Sequence, residues 1–341
     1  MVTISDVSKR AGVSRSTVSR VVARNGYVSD VKRRAIESAI AELGYRPNTL
    51  AQALRSNRSN MIGAVVVDVG TPYFANMVYG MQRSSRAEGK SLLVISGYAD
   101  QDEEARAIIE LVDRSCDGII LYLERPMRAD VVEIVRKAQV PVVSIGRKHY
   151  PHSRGVVTFD NFGGARQAMA FLIEQGHRKI VHLSGQPEFG DVVARIEGIE
   201  AALAEHGMSL DDIHIVNGTF SQEFGLAATT QLIKEGRDFT AIFAGDDDMA
   251  AGVLQALREN GRRVPEDVSV IGFDDAFHAK HLWPPLTTMK QPTDAIGEAA
   301  SSLLLQLLAE PSMGTGERTI ETALVVRSSV SRPSVTERQV A

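Results

Sequence analysis

The stretch TISDVSKRAGVSRSTVSRVV, residues 3–22, contains two short helical patterns separated by a glycine. In the first pattern, apolar residues recur from Ile4 onward with the spacing of one helix face. Thr3 and Asp6, three residues apart, have the form of a capping box, so we expect the helix to begin there. Gly12 can adopt the left-handed backbone conformation that ends such a helix.

The second pattern begins at Ser14, which can cap a helix. Its inner face consists of Thr17, Val18, Val21 and Val22. Its outer face carries cationic and hydroxyl side chains and no carboxylate, namely Arg15, Ser16, Ser19, Arg20 and Arg24. A helix, a tight turn and a second helix with a basic outer face is the layout that places the second helix in the DNA major groove. A small helical hairpin with a solvated polar face also fits the pattern.

The charge distribution favours the DNA-binding interpretation. Residues 1–60 carry a net charge of +7, from 11 Lys and Arg against 4 Asp and Glu. The rest of the 341-residue chain carries −11, from 27 against 38. A basic head on an acidic body fits a head that meets phosphate groups and a body that does not. Two or three domains are expected from this length.

Several features indicate a soluble cytoplasmic protein. Cys116 is the single cysteine, which excludes a disulfide within the chain and fits a reducing compartment. The first ten residues contain no apolar core of the kind found in a signal peptide. Apolar runs fall short of the ~20 residues that a membrane span requires.

A third helix and a linker complete the first part of the chain. Asn25-Gly26 marks a turn, and Ser29 can cap a helix from Asp30 to Leu43. The predicted inward face of that helix is Val31, Ala35, Ile36, Ala39, Ile40 and Leu43. Residues 48–55 form a segment too short to be a stable isolated helix. It is either a linker or a hinge that folds only when docked, with Leu54 as an apolar wedge.

From Met61 onward, nine apolar strand-like runs alternate with amphipathic helical patterns. Continuous apolar strands separated by helices indicate parallel sheets covered on both faces, and nine strands suggest two sheets. Helices are predicted over 75–88, 103–114, 129–139, 163–175, 193–206, 222–235, 250–260 and 294–308. Many strands end in Asp or Gly, as expected for a ligand cleft beyond the carboxyl ends of parallel strands.

From Val2 to about Ser331, the sequence resembles the LacI/GalR family of bacterial transcription regulators. The resemblance rests on TISDVSKRAGVSRSTVSRVV, YVSDVKRRAIESAIAELGYRPN and LAQALR in the head. In the body it rests on IGAVVVDVGTPYF, DNFGGARQAM, EQGHRKI, FAGDDDMAAG, VPEDVSVIGFDD and PPLTTMKQP. Each stretch is weak alone, but their order and spacing are specific.

The resemblance implies a fold and a domain plan. The fold class is a small all-α helix-turn-helix head plus an α/β two-lobed periplasmic-binding-protein-like body with two parallel doubly wound sheets. The implied divisions are a DNA-binding domain at 1–47, a hinge helix and linker at 48–60, a ligand-binding and dimerisation domain at 61–331, and a disordered tail at 332–341. Lobe one is expected at 61–160 and 292–320, and lobe two at 161–291 and 321–331.

The family match also implies DNA contacts. Arg15, Ser16 and Arg20 match the positions that contact base edges, and Arg can donate two hydrogen bonds to guanine. Positions near phosphates are matched by Thr17, Ser19 and Asn25. Leu54 matches the hinge leucine that enters the minor groove at the centre of a palindromic site and bends the DNA. A homodimer would then occupy two half-sites of double-stranded operator DNA.

For the cleft, the resemblance implies a small-molecule effector held by side chains of both lobes. Arg166 and Asp274 match the polar pair that holds the ligand, while Tyr73 and Phe74 match a covering loop. Asp246 stands where Asn is frequent, which makes it an acceptor only and favours ligand hydroxyls as donors. The remaining expected cleft residues are Arg147, Phe159 and Phe220. Trp283, the single Trp, could face a sugar ring or lie on the surface.

Other kinds of site are weaker interpretations. The run from Asp246 to Asp248 suggests a metal site, but carboxylates at a helix start also interact with the helix dipole, and capping by Asp248 is preferred. No nucleotide loop or paired-histidine motif indicates an enzyme, and neither a cofactor nor a metal is expected. His177 is assigned to a turn cap and Cys116 to the core.

The expected function is a sequence-specific repressor of a carbohydrate-utilisation operon, released from its operator by a sugar or glycoside. A purine corepressor is the alternative within the family, because Tyr73-Phe74 resembles the aromatic pair of that branch as well. A solute-binding protein is the rival from another class. A dimer rather than a tetramer is expected, because the tail after Arg332 contains no leucine heptad.

Overall fold

The computed structural model describes residues 2–23, 25–46, 58–146, 150 and 153–334. The chain divides into two compact units, residues 1–60 and residues 61–341. Three residues named from the sequence, Arg24, Leu54 and Arg147, lie outside the described residues, as does most of the proposed hinge.

The first unit is a three-helix head. Helices α1 (Ile4–Ala11), α2 (Arg15–Val22) and α3 (Asp30–Leu43) share a small core. Its buried members are Val7, Val18, Val21, Val28, Ile36 and Ala39. The predicted capping box between Thr3 and Asp6 is present, and Gly12 ends α1 with a φ of 64°. The local signals in residues 3–22 therefore specified this helical pair correctly.

The predicted inner face of α3 was wrong at two positions in its first two turns. Val31 is 77% exposed and Ala35 is also exposed, whereas Ile36 and Ala39 are buried. Val31 lies five residues before Ile36, which places it about 140° away around a helix that turns by about 100° per residue. Being apolar is therefore not sufficient to place a residue on the buried face of α3.

The second unit contains two six-stranded sheets, and helices cover both faces of each. The strands of the first sheet are β1 (Met61–Val66), β2 (Ser91–Ser96), β3 (Gly118–Tyr122), β4 (Val142–Ile145), β5 (Ser153–Phe159) and β11 (Gly316–Ile320). Their spatial order is β11-β5-β4-β3-β1-β2, and all pairs are parallel. The covering helices are α4 (Pro72–Ala87), α5 (Gln101–Asp113), α6 (Ala129–Ala138) and α11 (Thr293–Ala309).

The second sheet has the same construction. Its strands are β6 (Ile180–Ser184), β7 (His214–Asn217), β8 (Ala241–Ala244), β9 (Ser269–Asp274), β10 (Thr287–Lys290) and β12 (Ala323–Val325). The order is β12-β10-β9-β8-β6-β7, with only β12 antiparallel to its neighbour. Its helices are α7 (Asn161–Glu174), α8 (Gly190–Glu205), α9 (Gln222–Lys234) and α10 (Asp247–Glu259). The predicted fold class is confirmed.

We call the part built on the first sheet lobe one and the part built on the second sheet lobe two. Within residues 153–334, the chain passes between the lobes after Phe159, after Lys290 and after Ile320. Strand β10 escaped the sequence analysis because its four residues, TTMK, contain one apolar side chain and follow two prolines. The strand is buried because it pairs with β9, and its own residues do not show the apolar pattern of a buried strand.

Five helices begin two or three residues before their predicted starts, because the residues that open each of them were assigned to the preceding strand end or loop. Asp160 caps α7, and Asp246 caps α10 by accepting a 2.7 Å hydrogen bond from the Met249 amide. Asp248 lies within the first turn of α10, so the preference for Asp248 as the cap was wrong. Asp246 is therefore both the cap of α10 and the last residue of the short turn that joins β8 to α10.

The predicted tail contacts lobe two at Ser334. Ser334 Oγ donates to the Glu266 carbonyl at 2.6 Å, so the predicted tail begins in contact with lobe two; residues 335–341 lie outside the described residues. His177 is buried and bonds to Thr240 Oγ1 and the Ser331 carbonyl, 2.9 Å each, which fastens the chain end rather than capping a turn. No described helix is long and apolar enough to cross a membrane.

Candidate functional site

The outer face of α2 presents the side chains that the sequence analysis assigned to DNA. Arg15, Ser16 and Arg20 are exposed, and Val18 and Val21 on the opposite face are buried. The Ser14 hydroxyl accepts from the Thr17 amide at 3.2 Å, which holds the first turn of the helix. The two exposed guanidinium groups are therefore carried on a rigid, capped helix.

The remaining predicted DNA contacts surround this face. Thr17 and Ser19 are half-buried, and Asn25 is exposed. The Arg20 Cδ atom lies 3.7 Å from the place that a Gly26 side chain would occupy, so the turn after α2 runs beside the Arg20 stem. Short hydroxyls near the helix start and an exposed amide after it are suited to phosphate oxygens, which position a protein on DNA.

A cavity of about 380 Å³ lies between the two lobes, at the carboxyl ends of the strands. This volume falls within the range of about 300–1,000 Å³ that is typical of small-molecule sites. Residues of both lobes line it: Val67, Thr71, Tyr73, Phe74, Ala99, Tyr122, Glu124, Gln186, Phe189, Asp191, Arg195, Thr219, Phe220, Asp246, Asp248 and Asp274. We call this cavity the cleft.

Among the described residues that line the cleft, Arg195 is the only cation. Its side chain is 8% exposed, and Nε donates to Asn161 Oδ1 at 2.8 Å while Nη1 donates to the Gly245 carbonyl at 2.5 Å. The guanidinium carbon lies 3.9 Å from the centre of the Phe273 ring, in cation–π geometry. The Arg195 head group is thus fixed before any ligand arrives.

Asp274 faces this arginine at the end of β9. Its Oδ1 lies 3.8 Å from Arg195 Nη2, which is too long for a hydrogen bond. Among the described residues this buried oxygen has no hydrogen-bond partner. Burial raises the pKa of Asp274 well above its ordinary value, although the positive charge of Arg195 opposes the shift. The backbone φ of 109° is rare for a residue with a side chain, and such strain is often found at functional sites.

Asp246 supplies a second acceptor from the start of α10. It is 8% exposed, and burial raises its pKa to about 6 even though the Met249 amide hydrogen bond lowers it. Asp247, the next residue, faces away from the cleft and accepts from Thr288 Oγ1 at 2.6 Å and from the Ala276 amide at 2.7 Å. The adjacent carboxylates of Asp246 and Asp247 thus have different hydrogen-bond partners. Among the described residues, no group of three or more side chains is placed to hold a metal ion.

Aromatic side chains form the walls of the cleft. Phe74 packs edge-on against both Tyr73 and Tyr122, with ring centres 5.0 Å apart in each pair. Phe189 and Phe220 contribute rings from lobe two. Burial raises the pKa of Tyr73 well above its ordinary value, which keeps the phenol protonated as a donor. Rings beside fixed acceptors suit a ligand with apolar faces and hydroxyl edges.

The structure brings together five of the residues named from the sequence: Tyr73, Phe74, Phe220, Asp246 and Asp274. Phe159 lies behind them, 5% exposed, with its ring centre 6.3 Å from that of Tyr73. Trp283 is 89% exposed and does not line the cleft.

The predicted pairing of Arg166 with Asp274 was wrong. Arg166 is half-exposed, does not line the cleft, and forms an ion pair with Glu205 at 2.8 Å. Arg195 on α8 occupies the expected place instead, because its face of the helix points to the protein interior. A signal for Arg195 exists in the sequence: it shares a helical face with the buried Val192 and Ile199, where a charge is unusual.

Sequence reasoning also missed several other lining residues, namely Tyr122, Glu124, Gln186, Phe189 and Asp191. Tyr122 is the last residue of β3 and Asp191 lies in the first turn of α8, whereas Glu124, Gln186 and Phe189 lie in the loops that follow β3 and β6. Their identity as cleft residues depends on the crossing of the two lobes.

Comparisons with known proteins agree with both parts of the structure. The family model described as "Bacterial regulatory proteins, lacI family" matches residues 3–48, and the model described as "Periplasmic binding protein-like domain" matches residues 169–330. The HTH-type transcriptional regulator AscG of Escherichia coli strain K12 is 35% identical over 98% of this chain and 100% of its own length.

Two solved structures show the same architecture. The transcriptional regulator CelR in complex with cellobiose is 34% identical, covering 96% of this chain and 100% of that one, with a TM-score of 0.73. The lac repressor dimer bound to operator and the anti-inducer ONPF is 29% identical, covering 97% and 99%, with a TM-score of 0.85. The resemblance inferred from the sequence is confirmed: this chain belongs to the LacI family of bacterial regulatory proteins, which are DNA-binding transcription regulators.

Proposed function

We propose that the protein is a homodimeric transcriptional repressor of a carbohydrate-utilisation operon. A sugar or glycoside that enters the cleft releases it from a near-palindromic operator. The carrying observation is the cleft itself, in which Arg195 and Asp274 lie beside aromatic walls. The lac repressor relative is a dimer on operator DNA, and the CelR relative holds cellobiose, which supports both parts of the proposal.

The proposed chemistry of release is a shift between two states. The ligand bridges the lobes and favours the arrangement of the two lobes in which it makes most contacts. Operator affinity can change only by as much as the ligand's affinity differs between the two states. Asp246 and Asp274 accept hydrogen bonds from ligand hydroxyls, while Arg195 donates to a ligand oxygen. We further propose that the protein works in the cytoplasm, with no membrane partner and no enzymatic activity.

In the head, we propose that Arg15, Ser16 and Arg20 contact base edges and that Thr17, Ser19 and Asn25 contact phosphates. Leu54, outside the described residues, remains the predicted minor-groove wedge. Fluorescence anisotropy with a labelled palindrome from the protein's own promoter region tests these assignments. Arg20→Ala should weaken specific binding by about 1–3 kcal/mol. Arg136→Ala, which removes an exposed body arginine paired with Glu133, is the matched control and should change nothing.

The effector is tested by thermal shift with two panels, neutral sugars and glycosides in one and purines in the other. Stabilisation by a sugar, with release of the labelled operator at the same concentration, is the expected result. Stabilisation by hypoxanthine or guanine alone, with tighter operator binding, would replace the sugar with a purine corepressor. Failure to bind any palindrome with a steep salt dependence would overturn the repressor itself. Light scattering should give twice the mass of one chain.

A further inference from the structure

Two successive residues at the end of β9 have a backbone conformation that residues with side chains rarely adopt. Asp274, the last residue of the strand, has a φ of 109°, and Asp275 has a φ of 55°. Neither is a glycine, so the surrounding structure must hold the chain in this form. The direction of the Asp274 carboxylate depends on this backbone, because the backbone angles determine which side-chain rotamers are allowed.

Backbone amides restrain the chain on both sides of Asp275. The Gln291 amide donates to the Asp274 carbonyl at 3.1 Å. On the other side, the Ala276 amide donates to Asp247 Oδ2 at 2.7 Å. These two hydrogen bonds fix the ends of the strained pair, and they report on its conformation because each one involves an amide whose exchange with solvent can be measured.

Arg327 adds a restraint on the Asp275 side chain. Its Nη2 atom donates to Asp275 Oδ1 at 2.6 Å, and both side chains are 18% exposed, so salt screens this ion pair less than a surface pair. Arg327 is held in turn by its Nη1 atom, which donates to the Leu286 carbonyl at 2.8 Å. Its amide donates to Thr287 Oγ1 at 2.9 Å. The guanidinium therefore links the start of β10 to the residue that follows Asp274.

Arg327 is not among the described residues that line the cleft. It follows β12, in the segment that enters lobe two after Ile320. Its partner Asp275 does not line the cleft either, whereas the preceding residue, Asp274, does. An influence of Arg327 on a ligand in the cleft must therefore pass through the backbone that joins Asp274 to Asp275.

We propose that Arg327 is a positioning residue for the effector, which holds Asp275 and thereby orients the Asp274 carboxylate in the cleft. Asp274 Oδ1 is buried and has no hydrogen-bond partner among the described residues, so a ligand hydroxyl must reach it where the backbone holds it. Without Arg327, the backbone can relax towards an ordinary conformation and the carboxylate turns with it. The role of Asp274 as ligand acceptor rests on the proposed function, whereas the restraint on its backbone does not.

The restraint is measured first, on the full-length protein without any ligand. In Arg327→Met, residue-resolved hydrogen–deuterium exchange should show the amides of Ala276 and Gln291 exchanging about tenfold faster, because local opening around Asp275 becomes easier. The amides of β8, which is buried in the core of lobe two, should keep their protection. This pattern separates a local loss of restraint from a general loss of stability.

Arg263→Met is the matched control for this measurement. It removes an exposed arginine that is paired with Asp267, and it should leave both amides unchanged. Arg327→Gln, which keeps a polar end but no charge, serves if Arg327→Met does not fold. Unchanged exchange at the two amides, or equally faster exchange at the two amides and in β8, would overturn the positioning role.

The effect on the ligand is then measured by a double-mutant cycle. Glucose, galactose, ribose and cellobiose are each titrated into the full-length protein in a calorimeter. For a sugar that binds, Arg327→Met and Asp274→Asn should each raise the Kd by about tenfold, which corresponds to one hydrogen bond to a charged group. The double variant should bind within about twofold of Asp274→Asn alone, because a residue that acts through another adds little once the other is removed.

Two results of the cycle would contradict the proposal. A Kd that is unchanged in Arg327→Met would show that the restraint does not matter to the ligand. Equal effects of Arg327→Met on the wild type and on Asp274→Asn would show that Arg327 acts by a route other than Asp274. If no sugar binds the wild type while the two amides exchange faster in Arg327→Met, the sugar effector is overturned and the restraint on Asp274 stands.

Discussion

Arg195 shows how one side chain can organise a binding site. Its donors go to Asn161 and the Gly245 carbonyl, and its remaining edge faces Asp274. Three sides of the group are used at once, each by a different nitrogen of the planar guanidinium, whereas an ammonium group carries all its donors on one nitrogen. Lysine at this position would retain the charge and lose the geometry.

We therefore expect Arg195→Lys to raise the sugar concentration needed for half-release of the operator by about tenfold or more. This factor corresponds to the loss of one hydrogen bond to a charged group. Operator affinity without sugar should change by less than about threefold, because the proposed operator contacts lie in the head. Arg166→Lys, on the neighbouring helix and outside the cleft, is the control. Equal effects of the two variants in an anisotropy titration would contradict the assignment.

Asp247 makes stability depend on pH. Burial raises its pKa to about 8, so the folded protein retains a proton that the unfolded chain releases above about pH 4. Between these values the unfolded state binds fewer protons at this group, so the contribution of Asp247 to the free energy of unfolding falls as pH rises. The loss stops once the pH passes the folded-state pKa.

Asp247→Asn cannot ionise, so it should remove this slope. Chemical denaturation at pH 5 and pH 8 should show the variant gaining on the wild type by at least about 2 kcal/mol, since each unit of pKa difference is worth about 1.4 kcal/mol. Asn loses one acceptor, which lowers stability at both pH values and cancels in the comparison. Asp267→Asn, at an exposed carboxyl paired with Arg263 whose pKa is lowered to about 2, should not gain in this interval. Parallel pH profiles for wild type and Asp247→Asn would refute the interpretation.

At the scale of elements, α2 depends on its cap. The Ser14 hydroxyl accepts from the Thr17 amide and lies 2.8 Å from the hydroxyls of both Ser16 and Thr17. Two of the proposed DNA-contacting residues therefore share the group that starts the helix. Losing it should loosen the first turn and the side chains that it positions.

Ser14→Ala should destabilise α2 by about 1 kcal/mol. In hydrogen–deuterium exchange of the full chain, amides of Arg15–Val22 should then exchange about fivefold faster, and operator binding should weaken by a similar factor. Ser38→Ala, at an exposed position inside α3, is the control and should be neutral or slightly stabilising. Unchanged protection of α2 in Ser14→Ala would show that the cap contributes nothing.

At the scale of the whole molecule, a chain of hydrogen bonds joins the lobes through the crossing segments. The Tyr73 hydroxyl donates to Gln291 Oε1 at 3.0 Å, and Gln291 Nε2 donates to Asn161 Oδ1 at 3.2 Å. Asn161 Oδ1 also accepts from Arg195 at 2.8 Å. The cleft arginine is thus connected to two of the three segments in which the chain changes lobes.

Gln291→Leu should uncouple the cleft from the head rather than abolish either activity. We expect the ratio of operator affinities without and with sugar to fall by about fivefold, which is within the usual range of coupling free energies of about 1–3 kcal/mol. Gln231→Leu, on the exposed side of α9, is the control. A ratio equal to that of the wild type, measured at saturating sugar, would mean that the chain of bonds carries no coupling.

The sequence by itself determined the local structure and the family. Helix α3 was predicted with its exact ends, and the capping box of Thr3 and the turn at Gly12 are present as predicted. Apolar runs identified nine strands and the two-sheet body. These features depend on neighbours within a few residues along the chain, where periodicity and caps act directly.

Only the tertiary structure decided which residues meet. Strand β10 is buried by its neighbours although its own residues carry little pattern, and Val31 is exposed although it is apolar. Arg166 and Arg195 both lie on helices of lobe two, yet only Arg195 reaches Asp274. The physical reason is that a contact between distant segments depends on how helices rotate and lobes cross, and no local periodicity records those quantities.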